Sequence, residues 1–145
     1  MARKKVNKLI EDNTNYILEY WNAIQNKEII VCKKIYKLYE RLAYESQNEI
    51  RNRWIFDHKK ALYAIRFIEK FMYCGKGKFS RKQMKLILFQ KAFISTIFGF
   101  VDKDTGFRRY KDVLLVMSRK NGKTGLSAAI SQLLLTEEYG GEIYC

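Results

Sequence analysis

Apolar residues in the first half of the chain recur at helical spacing. Over residues 13–26 they fall at Tyr16, Ile17, Tyr20, Trp21 and Ile24, which predicts a helix with Asp12 or Asn13 as its N-cap. Residues 28–45 repeat the pattern. Val31, Ile35, Leu38 and Leu42 form one stripe, flanked by Cys32, Tyr36 and Tyr39, while Lys33, Lys34, Lys37 and Arg41 fall on the other side. A lysine face of this kind is ordinarily a solvated face, and tyrosines at this spacing are ordinarily core. Arg51 to Phe56 reads as extended. Asp57 then caps a third helix over 58–73, with Ala61, Ile65, Ile68 and Met72 inward and Lys59, Arg66 and Lys70 outward.

The second half is patterned differently. Leu86 to Gln90 leads into a helix that runs to about Phe98 and is ended by Gly99. Asp102-Lys-Asp-Thr-Gly106 is a turn signal between two β-prone runs. Five apolar residues, Val113 to Met117, read as a short buried strand. The helix expected over 124–137 is apolar almost all round (Leu126, Ala128, Ala129, Ile130, Leu133, Leu134), as suits a helix lying on a sheet. Gly140-Gly141 ends it, and Glu142 to Cys145 begins another strand. Strand, loop, helix, strand is the start of a βαβ unit. The expected fold class is therefore α/β: a helical region over 1–75, a basic linker over 76–85, and a partial nucleotide-binding domain over 86–145 with an incomplete sheet.

Charge adds a partner to this picture. The 145 residues carry a net charge of +13, with no proline and 10 Tyr, 9 Phe and 2 Trp. Residues 1–85 hold 20 basic and 9 acidic groups, and residues 86–145 hold 8 and 6. The positive excess lies outside the nucleotide-binding part, which points to a polyanion such as DNA or RNA. Lys76, Lys78, Arg81, Lys82 and Lys85 form a basic strap with no acid among them, suited to phosphates by charge alone or simply to solvent. Cys32, Cys74 and Cys145 are scattered, and His58 is the only histidine, so the spacing disfavours structural zinc. Cys32, on the apolar stripe, is expected in the core. These cysteines fit a reducing, cytoplasmic compartment. No apolar run is long enough to span a bilayer, so no membrane partner is expected.

The loop between the expected strand and helix carries the chemistry. Ser118-Arg-Lys-Asn-Gly-Lys-Thr124 ends in Gly-Lys-Thr. Gly122 would let the backbone approach a phosphate, Lys123 would place its charge on the β/γ-phosphates, and Thr124 would offer a hydroxyl to Mg²⁺. The full phosphate-loop pattern has a glycine five residues before Gly122, where this chain has Met117.

Four runs together resemble the large subunit of tailed-bacteriophage terminases: Leu88-Phe-Gln90, Ile97-Phe-Gly-Phe100, Gly106-Phe-Arg-Arg-Tyr110 and Ser118 to Thr124. The close, Gly141-Glu-Ile-Tyr-Cys145, is similar too. The resemblance covers residues 86–145 most specifically. It extends less closely over 14–85, through Tyr20-Trp21, Ile29 to Lys34 and Trp54 to Asp57. That family's variant Walker A loop also lacks the leading glycine.

The resemblance implies ATP-driven packaging of double-stranded DNA in an infected bacterial cytoplasm. It implies ATP and Mg²⁺ as cofactors, and the small terminase subunit and portal as partners. Homo-oligomers would belong to the full-length protein only. It makes Gln90 the adenine reader and Arg119 the group near the γ-phosphate. Lys123 and Arg119 are then the catalytic candidates, Ser118, Lys120, Asn121 and Gly122 line the phosphates, and Thr124 serves the metal. No apolar strand ending in an acid follows Thr124, and no nuclease carboxylate cluster is present. The expectation is accordingly a motor ATPase cut before Walker B, binding ATP with little or no turnover and no nuclease activity. The alternative is a basic helical nucleic-acid-binding or packaging-complex interaction fragment without ATPase activity.

Overall fold

The computed structural model describes residues 14–74, 81–118 and 121–137. Among these the chain is α/β, with five helices and one two-stranded sheet. In order they are α1 (Tyr16–Gln25), α2 (Lys33–Glu45), β1 (Trp54–Phe56), α3 (His58–Phe71), α4 (Leu88–Gly99), β2 (Phe100–Asp102) and α5 (Lys123–Glu137). Two compact units share them. The first takes Met1–Ile65 and Leu86–Asp112, and the second takes Arg66–Lys85 and Val113–Cys145. The division falls within α3.

In the first unit, α1 and α3 start on side-chain caps. Asn15, rather than Asp12 or Asn13, caps α1: its Oδ1 accepts from the amides of Ile17 (3.1 Å) and Leu18 (3.3 Å). Asp12 and Asn13 lie outside the described residues. Asp57 caps α3 as expected, its Oδ1 accepting from Lys59 N at 2.8 Å and Lys60 N at 3.1 Å.

The amphipathic faces pack α1 against α2 and α4. Ile17, Tyr20, Ile24, Tyr39, Leu42, Ala92 and Phe100 form the core, with Trp21, Ile35, Phe56 and Tyr110 packed around it. Leu38 stays 38 % exposed, because the buried stripe of α2 runs through Tyr39, Leu42 and Ala43 instead. Cys32 is exposed at the start of α2 rather than in the core; it precedes the first helical residue, so the stripe's helical phase does not apply to it. Cys74 is half-buried, and Cys145 lies outside the described residues.

The sheet is antiparallel, pairing Trp54 with Asp102, Ile55 with Val101 and Phe56 with Phe100. A tight hairpin feeds β1. Ile50 and Trp54 exchange backbone hydrogen bonds of 2.9 and 3.0 Å across Arg51 and Asn52, whose φ angles are 51° and 52°. At the far end, the Asp102 carboxylate receives Arg53 Nε at 2.7 Å and the amides of Asp104 and Thr105 at 3.0 Å each, closing the turn that the sequence signals at 102–106. Gly99 is required by contact: a Cβ there would fall onto the Phe56 ring.

In the second unit, the chain doubles back beyond α3. Cys74 N donates to Lys82 O and Arg81 N to Cys74 O, both at 2.9 Å, while Met84 N donates to Met72 O at 2.8 Å. Arg81, Lys82 and Lys85 of the basic strap are described; Lys76 and Lys78 lie outside the described residues. Buried groups here include Ile68, Leu126, Ala129 and Leu133.

Two stability predictions follow from these contacts. The Arg53 guanidinium, then the turn amides, hold the Asp102 carboxyl well below the usual carboxylate range. A depressed folded-state pKa contributes stability that is complete above the unfolded value of about 4 and is lost as pH falls below it. Thermal melts should show Asp102→Asn less stable than the parent at pH 7, with the difference shrinking toward pH 3. The half-exposed Arg53 limits the size of the effect. Separately, the Ser95 hydroxyl is buried in α4 without a partner, whereas Thr96 beside it donates to Ala92 O at 2.9 Å. Ser95→Ala should be neutral or stabilising by up to about 1 kcal/mol in urea unfolding.

Candidate functional site

Phosphate recognition by a strand-loop-helix unit needs a fixed helix amino end with unspent amides. Helix α5 supplies the helix. It begins at Lys123, and Leu126 N donates to Gly122 O at 3.0 Å, making Gly122 the N-cap. Gly122 adopts φ +72°, a left-handed conformation that costs a side-chain-bearing residue energy, and nothing lies within 4 Å of where a Cβ would be. Without a side-chain oxygen, Gly122 cannot cap the amides of the first turn. Lys123 and Thr124 are exposed in that turn. The loop before it is pinned by Asn121 Nδ2, which donates to Ser118 Oγ at 2.6 Å. Arg119 and Lys120 lie outside the described residues.

The strand expected before this loop is not formed. Val113 to Met117 carries no strand, and no backbone hydrogen bond is made by 113–118 among the described residues. Leu114 is 87 % and Val116 82 % exposed. A strand exists only through a neighbour that accepts its amides; the one named from the sequence, 142–145, lies outside the described residues. Helix α5 departs from expectation in the same way. It buries Leu126, Ala129 and Leu133 and leaves Leu135 half exposed and Ala128 exposed.

No family model, curated protein or solved structure matches this chain.

Gln90 belongs to the first unit, whereas Ser118 and Asn121 to Thr124 belong to the second. Gln90 is half-buried in the first turn of α4, and its Oε1 accepts from Ile87 N at 3.1 Å. This is the reciprocal half of a capping box; Ile87 has no oxygen to supply the other half. One lone pair of the amide oxygen is thus used locally. The second lone pair and the amide nitrogen remain, and these are the atoms an adenine edge needs.

The sequence reading overlooked a polar cleft in the first unit, lined by residues that include Gln47, Asn48, Glu49 and His58. Its one signal is the unbroken polar run Ser46 to Glu49 directly after an amphipathic helix.

Acidic residues before the loop are already engaged or solvated. Asp102 is held by Arg53, while Asp104 and Asp112 are exposed. Among the described residues no helix is long and apolar enough to cross a membrane.

The contrast between hydrogen-bonded and unpaired backbone yields a measurable difference. Amides of 113–118 should exchange with solvent within seconds at neutral pH, while those of α1 and the buried turns of α2 should be protected by at least about a thousandfold. Protection in 113–118 matching that of α2 would contradict the unpaired assignment.

Proposed function

We propose that this chain is the nucleotide-gripping part of a DNA-packaging motor ATPase of the terminase large-subunit kind, holding ATP through residues 118–124. The observation that carries this reading is Gly122. It has a left-handed φ of 72°, it is the N-cap of a 15-residue helix, and the first turn behind it presents Lys123 and Thr124 to solvent. Such a turn offers backbone N–H groups, the positive end of a helix dipole and an ammonium group to one anion.

In this reading Lys123 neutralises the β/γ-phosphates. The Thr124 hydroxyl would help hold Mg²⁺, which would supply charge neutralisation. Asn121 and Gly122 line the phosphates, with Ser118 bracing Asn121 across the loop. Arg119 and Lys120 add charge from within the same loop. In this reading Gln90 is the adenine reader, its amide nitrogen donating to N7 and the second lone pair of its oxygen accepting from N6. The packaged polyanion is double-stranded DNA, with the other packaging proteins as partners.

The second reading, a basic helical nucleic-acid-binding module, is favoured by one feature: Lys33, Lys34 and Lys37 are all exposed on α2.

Calorimetric titration with Mg·ATP separates the two. ATP should bind, and Lys123→Ala should weaken it at least tenfold, the loss expected for about 1.5 kcal/mol of charge-assisted hydrogen bonding. Gln90→Glu keeps the oxygen that accepts from Ile87 but removes the donor to adenine N7. It should therefore weaken ATP binding while leaving α4 intact by circular dichroism. ATP binding equal in parent and Lys123→Ala would end the phosphate-loop reading and leave the basic module.

A further inference from the structure

The first unit holds a cleft of about 530 Å³, within the roughly 300–1,000 Å³ range of small-ligand sites. The start of α1, the segment that follows α2, β1 and the start of α3 all contribute to its wall. Two helix amino ends lie at this wall, which would ordinarily suggest an anion. Their amides are already satisfied: Asn15 Oδ1 takes those of Ile17 and Leu18, and Asp57 Oδ1 takes those of Lys59 and Lys60. An anion would find few donors left.

Besides one spare N–H on each side-chain amide, the unspent groups are acceptors, among them the Glu49 carboxylate, which disfavours an anion. Asn48 Nδ2 donates to Tyr44 O at 2.8 Å and Gln47 Nε2 to Ala43 O at 3.2 Å. Backbone carbonyls can only accept, so both amide orientations are fixed, and both amide oxygens are left without a partner among the described residues. Glu49 gives only Oε1 to Lys103 Nζ, at 2.8 Å, leaving Oε2. His58 Nδ1 is buried with no partner, and its ring stands edge-on to Phe56 with centroids 4.9 Å apart. Leu18, Ile55 and Phe56 supply apolar surface beside these oxygens.

We propose that this cleft binds a small organic cation that carries N–H donors, an alkylammonium or guanidinium, on an apolar body. The donors meet Gln47, Asn48 and Glu49, and the body lies on Leu18 and Phe56. Lys103 is then a competitor: its ammonium already occupies one oxygen of the carboxylate that the ligand needs. This assignment is independent of the nucleotide reading and survives its failure.

The test is a ¹H–¹⁵N NMR titration of the full chain with agmatine and benzamidine. Tetramethylammonium serves as a cation without N–H donors, and phosphate as an anion. Both donor cations should shift resonances of residues 46–49 and the His58 ring, with dissociation constants of order 1 mM. Glu49→Gln should weaken binding by about tenfold, whereas Lys103→Gln should tighten it, because the carboxylate is released to the ligand. A merely structural Glu49–Lys103 pair predicts weakening in both variants. Either variant that lost its fold would show this directly in the dispersion of its spectrum, and Asn48→Ala, exposed after the end of α2, then takes its place with an expected weakening. Absence of shifts with either donor cation, shifts of equal size with tetramethylammonium or phosphate, or weaker binding in a folded Lys103→Gln would overturn the proposal.

Discussion

Burial of the Phe100 ring is the constraint around which the first unit is built. The ring is fully buried, with edge contacts to Phe56 at 5.1 Å and Tyr110 at 5.9 Å, and the Arg109 guanidinium lies 5.8 Å from its centroid. Removing a ring of this size from water stabilises by roughly 1.5–3 kcal/mol, and it ties together pieces distant in sequence. Arg109 extends the tie, with Nη1 on Glu45 at 2.8 Å and its amide on Phe100 O at 2.9 Å. The turn at 102–106 and the hairpin at 50–54 are held at the ends of the same two strands. The short sheet therefore locks α4 to the chain that precedes α3.

Helix beginnings divide into capped and uncapped ends, with α2 and α4 starting on Cys32 and Ile87 without a side-chain cap. Helices α1 and α3 start on side chains that consume their first amides, Asn15 and Asp57. Helix α5 starts on a glycine that cannot. In the first case the sequence closes the helix end to anions, and in the second it leaves the end open. At the loop 118–124 that open end comes with Lys123 and Thr124 in the first turn, while 113–118 makes no backbone hydrogen bond among the described residues.

Much of the fold was legible because amphipathic periodicity has a direct physical cause. Tyr16 to Ile24 and Ala61 to Ile68 read as helices because their apolar spacing matches one helical face. Asp57 and the 102–106 turn were legible because Asp oxygens have few other local uses. Burial of Ala23, Ala43 and Ala92 was not. All three are buried, but none extends an apolar stripe that the spacing of larger side chains marks. Val113 to Met117 misled because apolar run and β-propensity describe a surface that can pack, not the partner that must accept its hydrogen bonds. Within the candidate site, Gly122 to Thr124 was legible as a motif. The capping duty of Gln90 was not, since it depends on where α4 begins, and neither was the cleft beside His58, which four separate segments assemble.

The contact between Gly99 and the Phe56 ring carries an evolutionary implication. Any side chain at position 99 would invade the space of that ring, so the two sites cannot drift independently. Among descendants of this fold, enlargement at 99 is expected only where 56 has first become small. Correlated replacement at this pair, far apart along the polypeptide, would be a signature by which distant kin of the first unit are recognised even after the phosphate-loop residues have diverged.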